Sequence, residues 1–450
     1  MSRRAFLRAL VSIVAIALGV RLGYIFFDRT GTHLNAAIGV VGGDAFFYHK
    51  GAWLLPHHGF ISPEIYLTEG RSVQSAEHPP LYLLWLGIPS LFHIVSPVAH
   101  MVWSALLGTA TVALVGLLGR EIAGEKTGLV AAALAAIYPN VWSHDGFLTS
   151  ETMALFTVTL SLLLAYRFWR RPSPWRAAAL GFACALATLS RAELILLFAL
   201  IVLPLIVMTK GATGVSRWRL LTIAAVAGVI PIAPWVIYNA TRFKEPVYLS
   251  TGFGVTLASA NCDGTYYGPT TGYWNMRCAS EIRNRDVAPQ LDQSQQDPIF
   301  RRKALDYIGH HKSRLPYVVL ARWGRVSSLW KPWQQAALDQ YPEGREKWVA
   351  NTSLMMWFVL IPLAIAGAFV IRARRVPVFP LLALPVTVWV AITLTFATNR
   401  YRATAETVMC VLAAAALVSI FDALRARRDV ATVDLTALDT PALDVPAPAR

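Results

Sequence analysis

Five short stretches hold residue types that could do chemistry. Gly42-Gly43-Asp44-Ala45-Phe46-Phe47-Tyr48-His49 sets a carboxylate after two glycines and before an aromatic helix. At a membrane edge, partial desolvation raises such a group's proton affinity, so Asp44 could act as a general base. It could also, or instead, cap a helix over 45–55. In Glu77-His78-Pro79-Pro80-Leu81-Tyr82, two prolines fix an extended entry into the next helix. His78 there could bind a phosphate, a hydroxyl or a metal, or simply face water, whereas His57 and His58 read as ordinary loop residues. Glu151, after Ser150, could coordinate a metal with Asp44 or hydrogen-bond a ligand, or it could only favour a helix start through the macrodipole. Asn399-Arg400-Tyr401-Arg402 offers two guanidinium forks that match phosphate oxygens, or alternatively anchor an interface. Arg191, in Leu189-Ser190-Arg191, is a third such cation, with Glu193 close enough in sequence to pair with it.

The elements that must position these groups are apolar. The chain has 450 residues, 55% hydrophobic and 15% charged, with a mean hydropathy of +0.47. Ordinary globular proteins carry about 25% charged residues, so most of this surface need not face water. The net charge of +15 is distributed as punctuation between apolar stretches: Arg3 and Arg4; Arg167, Arg170, Arg171 and Arg176; Lys210, Arg217 and Arg219; Arg372, Arg374 and Arg375; Arg425, Arg427 and Arg428. That is the positive-inside pattern of a multi-pass membrane protein. A nucleic-acid partner would need one contiguous basic face and is not expected.

Spans are predicted near 5–27, 97–119, 127–143, 151–169, 176–191, 193–209, 220–238, 352–371, 377–397 and 403–421, each close to the length a bilayer requires. Alternation places every arginine run inside and the loops 28–96, 144–150, 240–350 and 398–402 outside. The first span reads as a retained anchor rather than a cleaved leader, because no small-residue cleavage site closes it. Leu81–Phe92 is too short and too proline-flanked to cross, so it is expected to lie in the outer interface. Leu315–Trp330, carrying Arg322 and Arg325 among aromatics, is expected there too. The fold class is therefore an all-α polytopic bundle of about ten transmembrane helices with juxtamembrane helices on the outer face. Residues 1–424 form the membrane domain, and 425–450 are expected to be a disordered cytoplasmic tail.

Cys262 and Cys278 share the outer loop and are expected to form a disulfide in an oxidising compartment. Cys184 and Cys410 fall within spans as packing residues. Tyr266, Tyr267, Tyr273 and Trp274 could stack on a sugar ring or form the small core of that loop.

In their order along the chain, the first-loop Asp44, the Pro79-Pro80-Leu81-Tyr82 entry, Ser150-Glu151, Leu189-Ser190-Arg191 and Arg400-Tyr401-Arg402 resemble the GT-C membrane glycosyltransferases. The similarity is to the protein O-mannosyltransferase and lipid A aminoarabinose transferase group, glycosyltransferase family 39-like. It implies transfer of a sugar, hexosyl or pentosyl, from a polyprenyl-phosphate donor to an acceptor hydroxyl at the outer face of a bacterial-type cytoplasmic (inner) membrane. Asp44 would be the catalytic carboxylate, Arg400, Arg402 and Arg191 would hold the donor phosphate, and His78, Glu151 and Tyr48 would contact substrate. A single displacement with inversion needs no cofactor, and a divalent metal at Asp44 and Glu151 is optional. Many relatives carry Asp-Glu where this chain has Asp44-Ala45, which weakens any role needing adjacent carboxylates. The acceptor, whether lipid, protein or polysaccharide, stays open. So do two rivals, a lipid or solute transporter and a lipid-linked glycan ligase. A transporter would place its ionisable groups nearer the midplane.

Overall fold

The structure is a computed structural model that describes residues 2–30, 38–39, 43–209, 215–340 and 344–438, with side chains described as far as Arg427. Gly42, Lys210 and the end of the expected tail lie outside these residues. Twenty helices follow in order: α1 (Arg3–Tyr24, continued by a wider π turn, Ile25–Arg29), α2 (Asp44–His58), α3 (Pro63–Glu69), α4 (Leu81–Ser90), α5 (Pro97–Ala123), α6 (Glu125–Ile137), α7 (Pro139–Phe147), α8 (Glu151–Arg170), α9 (Pro174–Ser190), α10 (Ala192–Met208, part 3₁₀ and part π) and α11 (Arg217–Arg242). The long connection that follows holds α12 (Phe253–Ala260), α13 (Asp263–Tyr266), α14 (Met276–Asp286), α15 (Gln293–His310), α16 (Leu315–Val326) and α17 (Pro332–Leu338). The chain ends with α18 (Lys347–Ala373), α19 (Phe379–Leu394) and α20 (Ala403–Leu438).

Helix starts follow local chemistry. Ser96, Ser173 and Ser216 each accept a hydrogen bond from a first-turn amide, and Pro97 and Pro174 occupy the position where a missing N–H costs nothing. Among the described residues, six segments are long and apolar enough to cross a membrane: Arg3–Arg29, Pro97–Ala123, Glu151–Arg170, Arg217–Arg242, Lys347–Ala373 and Asn399–Arg427. The other four expected spans are shorter. The segment expected at 127–143 is broken: Pro139 forces Tyr138 into an extended conformation, so α6 stops at Ile137 and α7 sets off anew. As a result 144–147, expected as loop, is helix, and the chain turns at Leu148 in the left-handed region (φ 52°). α4, at ten residues, is about 15 Å long and too short to span.

Close packing in the bundle depends on small residues, as it does where lipid supplies no hydrophobic drive between helices. A methyl group at Gly181 in α9 would collide with the Ala224 carbonyl of α11, and one at Gly367 in α18 with the Leu412 carbonyl of α20. The last helix, α20, runs past Arg425 to Leu438.

The long connection between α11 and α18 has its own small core of Leu257, Ala258, Ala279, Phe300 and Ala304. A Cys262–Cys278 disulfide staples it, with Cα atoms 6.2 Å apart. Tyr266 and Tyr273 are buried there, Tyr266 donating to Asn261 Oδ1 (2.9 Å) and Tyr273 to the Leu338 carbonyl (3.1 Å), while Tyr267 is exposed. Arg322 and Arg325 do not anchor α16 at an interface. They point inward and are fully buried, Arg322 donating to the Ala260 and Thr393 carbonyls and Arg325 to the Thr271 and Pro269 carbonyls. Irregular loop backbone leaves carbonyls unpaired, and an arginine with five donors can satisfy several at once.

Candidate active site

Five separate elements meet at one end of the bundle. The first turn of α2 brings Asp44, the extended segment before α4 brings His78, and α8 opens with Glu151. Arg191 closes α9, and a 3₁₀ turn, Asn399–Arg402, brings Arg400 just before α20. Arg400 is the centre of this group. One of its amino nitrogens donates to Asp44 Oδ2, and its Nε lies 2.7 Å from Glu151 Oε1. His78 Nε2 stands 3.5 Å from the other Asp44 oxygen. Arg191 pairs with the same Glu151 oxygen and, through Nε at 2.5 Å, with Glu193. Its guanidinium lies 4.8 Å from the centre of the Tyr401 ring.

Access is graded across this knot. Asp44 is 29% exposed and Arg400 14%, but Glu151 is only 1% exposed. The open edge is therefore Asp44 with His78, and the floor is Glu151. Glu151 thus does more than favour a helix start: it is the buried counter-charge that holds two arginines. Asp44 is not the helix cap, for Gly43 takes that position and no side chain caps the turn. The carboxylate is left to face Arg400 and His78. Burial opposes its charge, yet Arg400 and then His78 outweigh that and hold the carboxyl well below the usual carboxylate range. Burial likewise opposes charge on His78, but Asp44 prevails and raises it above the ordinary histidine value. Tyr48, expected at substrate, is fully buried one turn beyond Asp44. It stacks under the His78 imidazole (5.2 Å between centroids, 29° between planes) and so fixes the ring rather than reaching outward.

Arg402 corrects the expectation that both arginines of the Arg-Tyr-Arg motif face a phosphate. It is 2% exposed, with Nε 2.5 Å from Glu406 Oε1 and one amino nitrogen donating to the Val326 carbonyl (3.0 Å) and Ser328 Oγ (2.6 Å). Its guanidinium also lies 4.1 Å from the centre of the Trp357 ring. In a tight 3₁₀ turn, residues two apart point to different sides, so the side chain of Arg402 enters the bundle while that of Arg400 meets Asp44.

Several supporting residues gave no clear signal in the sequence. Asp339, buried after α17, accepts from Thr398 Oγ1 and from the Asn399 amide, both at 3.1 Å, and thereby ties the long connection to the turn that carries Arg400. Asn140 donates to Glu406 (2.6 Å) and accepts from Arg345 (2.7 Å), which extends the Arg402 network. Deeper in the bundle Arg21 pairs with Asp145 (2.8 Å), and Arg29 with Glu346 (2.9 Å). The usable clue was a charge inside an apolar run, as at Arg21 and Glu406, since such groups persist only with partners.

Among the described residues, no three histidine, cysteine or acidic side chains cluster as metal ligands. Asp44 and Glu151, the expected pair, hold the Arg400 guanidinium between them. That donor set does not fit a divalent cation, and no step is routed through one. An apolar pocket of about 460 Å³ is lined among others by Leu55 of α2, Leu81, Trp85 and Ile88 of α4, and Met153 of α8. The helices that carry Asp44 and Glu151, and the one that His78 precedes, thus also wall an apolar slot.

Comparison with known proteins agrees with this architecture. Residues 77–238 match the sequence profile of the dolichyl-phosphate-mannose-protein mannosyltransferase family. No curated protein sequence matches the chain. Among solved structures, the oligosaccharyltransferase of Archaeoglobus fulgidus, tethered with an acceptor peptide, is similar over 95% of this chain, with 16% identity and a TM-score of 0.52. This chain spans 51% of that protein's length. ArnT from Cupriavidus metallidurans, bound to undecaprenyl phosphate, is similar over 93% of this chain and 78% of its own, at 13% identity and a TM-score of 0.44. Residues 77–238 are thus similar to the dolichyl-phosphate-mannose-protein mannosyltransferase family, and the all-helical fold is similar to that of the archaeal oligosaccharyltransferase.

Proposed function

We propose that the protein transfers a sugar from a polyprenyl-phosphate donor to an acceptor hydroxyl at the outer face of a bacterial-type cytoplasmic membrane, with inversion at the anomeric carbon. The observation that carries this reading is Arg400, a partly exposed guanidinium held between two carboxylates, on a framework whose helices also wall an apolar pocket. A polyprenyl phosphate has the matching halves, an anion for the arginine and an apolar chain for the slot.

The chemistry then follows in one displacement. The acceptor hydroxyl loses its proton to Asp44 as its oxygen bonds to the anomeric carbon. The bond from that carbon to the phosphate oxygen breaks, and Arg400 takes up the charge that develops on the leaving phosphate. The resting contact between base and clamp adds a control. While Asp44 is paired with Arg400 its proton affinity is low, and it is a weak base. A donor phosphate that draws the guanidinium toward itself removes that pairing and raises the proton affinity of Asp44 where a base is needed. Glu151 keeps its pairing with Arg400 as the guanidinium shifts, and His78 steadies Asp44.

The test is direct. Detergent-purified protein is incubated with a panel of polyprenyl-phosphate hexoses and pentoses and one lipid-linked oligosaccharide, and released polyprenyl phosphate is measured. Release from a monosaccharide donor with an acceptor supports the reading. Release from the oligosaccharide alone would make the protein a glycan ligase, and the reading would be wrong.

A further inference from the structure

The end of the bundle away from Asp44 and Arg400 holds a second, differently built cavity. α8 runs from Glu151, in the site, to Arg170, a rise of roughly 30 Å over its twenty residues. Where it ends, a cavity of about 540 Å³ opens between the C-terminus of α5 and the turn into α9, lined by Glu121, Arg167, Arg170, Arg171 and Arg176. Four guanidiniums thus face one carboxylate. Arg170 uses that carboxylate, with Nε 3.0 Å from Glu121 Oε1. Arg176 donates to the Arg171 carbonyl, which neutralises nothing. Arg167 and Arg171 have no acidic partner among the described residues, and Arg167, Arg170 and Arg171 are all exposed.

The surroundings indicate what occupies it. Gly181 of α9 and Ala224 of α11 touch, each seven residues into its helix, so the two helices begin at the same level. Trp175 and Trp218, at those two starts, are each 80% exposed, and Trp169 is exposed beside them. Exposed indoles at one level beside arginines mark the headgroup layer of a bilayer. Scattered arginines would satisfy a charge rule without forming a cavity; these converge on one.

We propose that this cavity binds the phosphate of an anionic membrane phospholipid, with Arg167 and Arg171 as its free cationic forks. The phosphodiester lies among the guanidiniums and the acyl chains run along the apolar face below the tryptophans. Its consequence is a fixed lipid at the α5–α8–α9 junction, at the far end of the helix that positions Glu151.

The full chain in detergent is titrated with phosphatidylglycerol, phosphatidylcholine or inorganic phosphate, and bound lipid is counted by native mass spectrometry. Phosphatidylglycerol should bind at one saturable site, and Arg167→Gln/Arg171→Gln should weaken it about 30-fold, from about 1 kcal/mol per cation. Arg171→Gln alone, at an exposed position, should weaken it about fivefold by the same conversion. A control pair, Arg217→Gln/Arg219→Gln, removes equal charge at the same level outside the cavity and should change little. Equal losses in the pocket and control pairs would show diffuse charge and overturn the proposal. So would phosphatidylcholine binding as tightly, or millimolar inorganic phosphate displacing the lipid, since that would make this a free-anion site. Lipid counting reads neither turnover nor donor, so its outcome is independent of the proposed transferase reaction.

Discussion

Arg402→Ala separates a structural arginine from a functional one two residues away. Arg402 and Glu406 are a buried pair, 2% and 0% exposed, and Arg402 also satisfies the Val326 carbonyl and Ser328. Removing the arginine leaves Glu406 facing only uncharged partners among the described residues, Asn140 and Tyr138. Breaking a buried ion pair from one side costs about 3–5 kcal/mol, because an uncompensated charge stays behind. Replacing both members with apolar residues of similar volume avoids that cost. Arg402→Ala should therefore melt well below the parent in detergent, and Arg402→Met/Glu406→Leu should recover most of the loss. Arg400→Ala, at a partly exposed position, should melt nearer the parent but bind a polyprenyl-phosphate donor poorly. Scanning fluorimetry together with donor-binding titrations makes the comparison. If Arg402→Ala keeps full stability and instead loses donor affinity as Arg400→Ala does, the assignment of the two arginines is reversed and the reasoning fails.

Three other outcomes follow from the same geometry. Glu151→Gln keeps the shape but leaves Arg400 and Arg191 without their shared counter-charge, so thermal stability and donor affinity should both fall, the former by a few kcal/mol on the buried-pair scale; parent-like melting would contradict its role as the floor of the site. His78 is raised above its unfolded value of about 6.5, so its contact with Asp44 stabilises fully below that pH and is lost as pH rises through the folded value. The stability gap between parent and His78→Gln should therefore be full below about pH 6.5 and narrow as the pH rises above it, and a gap that widens refutes the pairing. Single-cysteine labelling should find positions near Arg171 and Arg374 on one side of the membrane and those near Asp44, Tyr267 and Arg400 on the other. Labelling of Arg374 and Asp44 positions from the same side would overturn the proposed topology and the face assigned to the site.

Much of the bundle was legible because lipid imposes a simple code. Apolar runs bounded by Ser-Pro starts and arginine ends were read within a few residues at α5 and α9, where capping and burial agree. The code failed at Tyr138-Pro139, where an apolar run suggested continuity and one proline broke it. In the site, Asp44, Glu151, Arg191 and Arg400 were identifiable because charge beside a membrane span needs a reason. Which arginine faced outward was not legible, since Arg400 and Arg402 are the same residue type two positions apart and only the 3₁₀ turn decides their direction. Asp339 was invisible for another reason. It lies about sixty residues from the turn it holds, in a loop whose sequence has no periodicity.

The central claim is that Asp44 takes the acceptor's proton while Arg400 holds the phosphate. Single-turnover transfer and donor affinity, measured together on Asp44→Asn, test it most directly. The asparagine keeps the shape, removes the base and frees Arg400 from a competing carboxylate. Donor affinity should hold or improve, while the transfer step slows by at least the ~10²–10⁴-fold that a general base supplies. Transfer at the parent rate, with donor bound normally, would contradict the account.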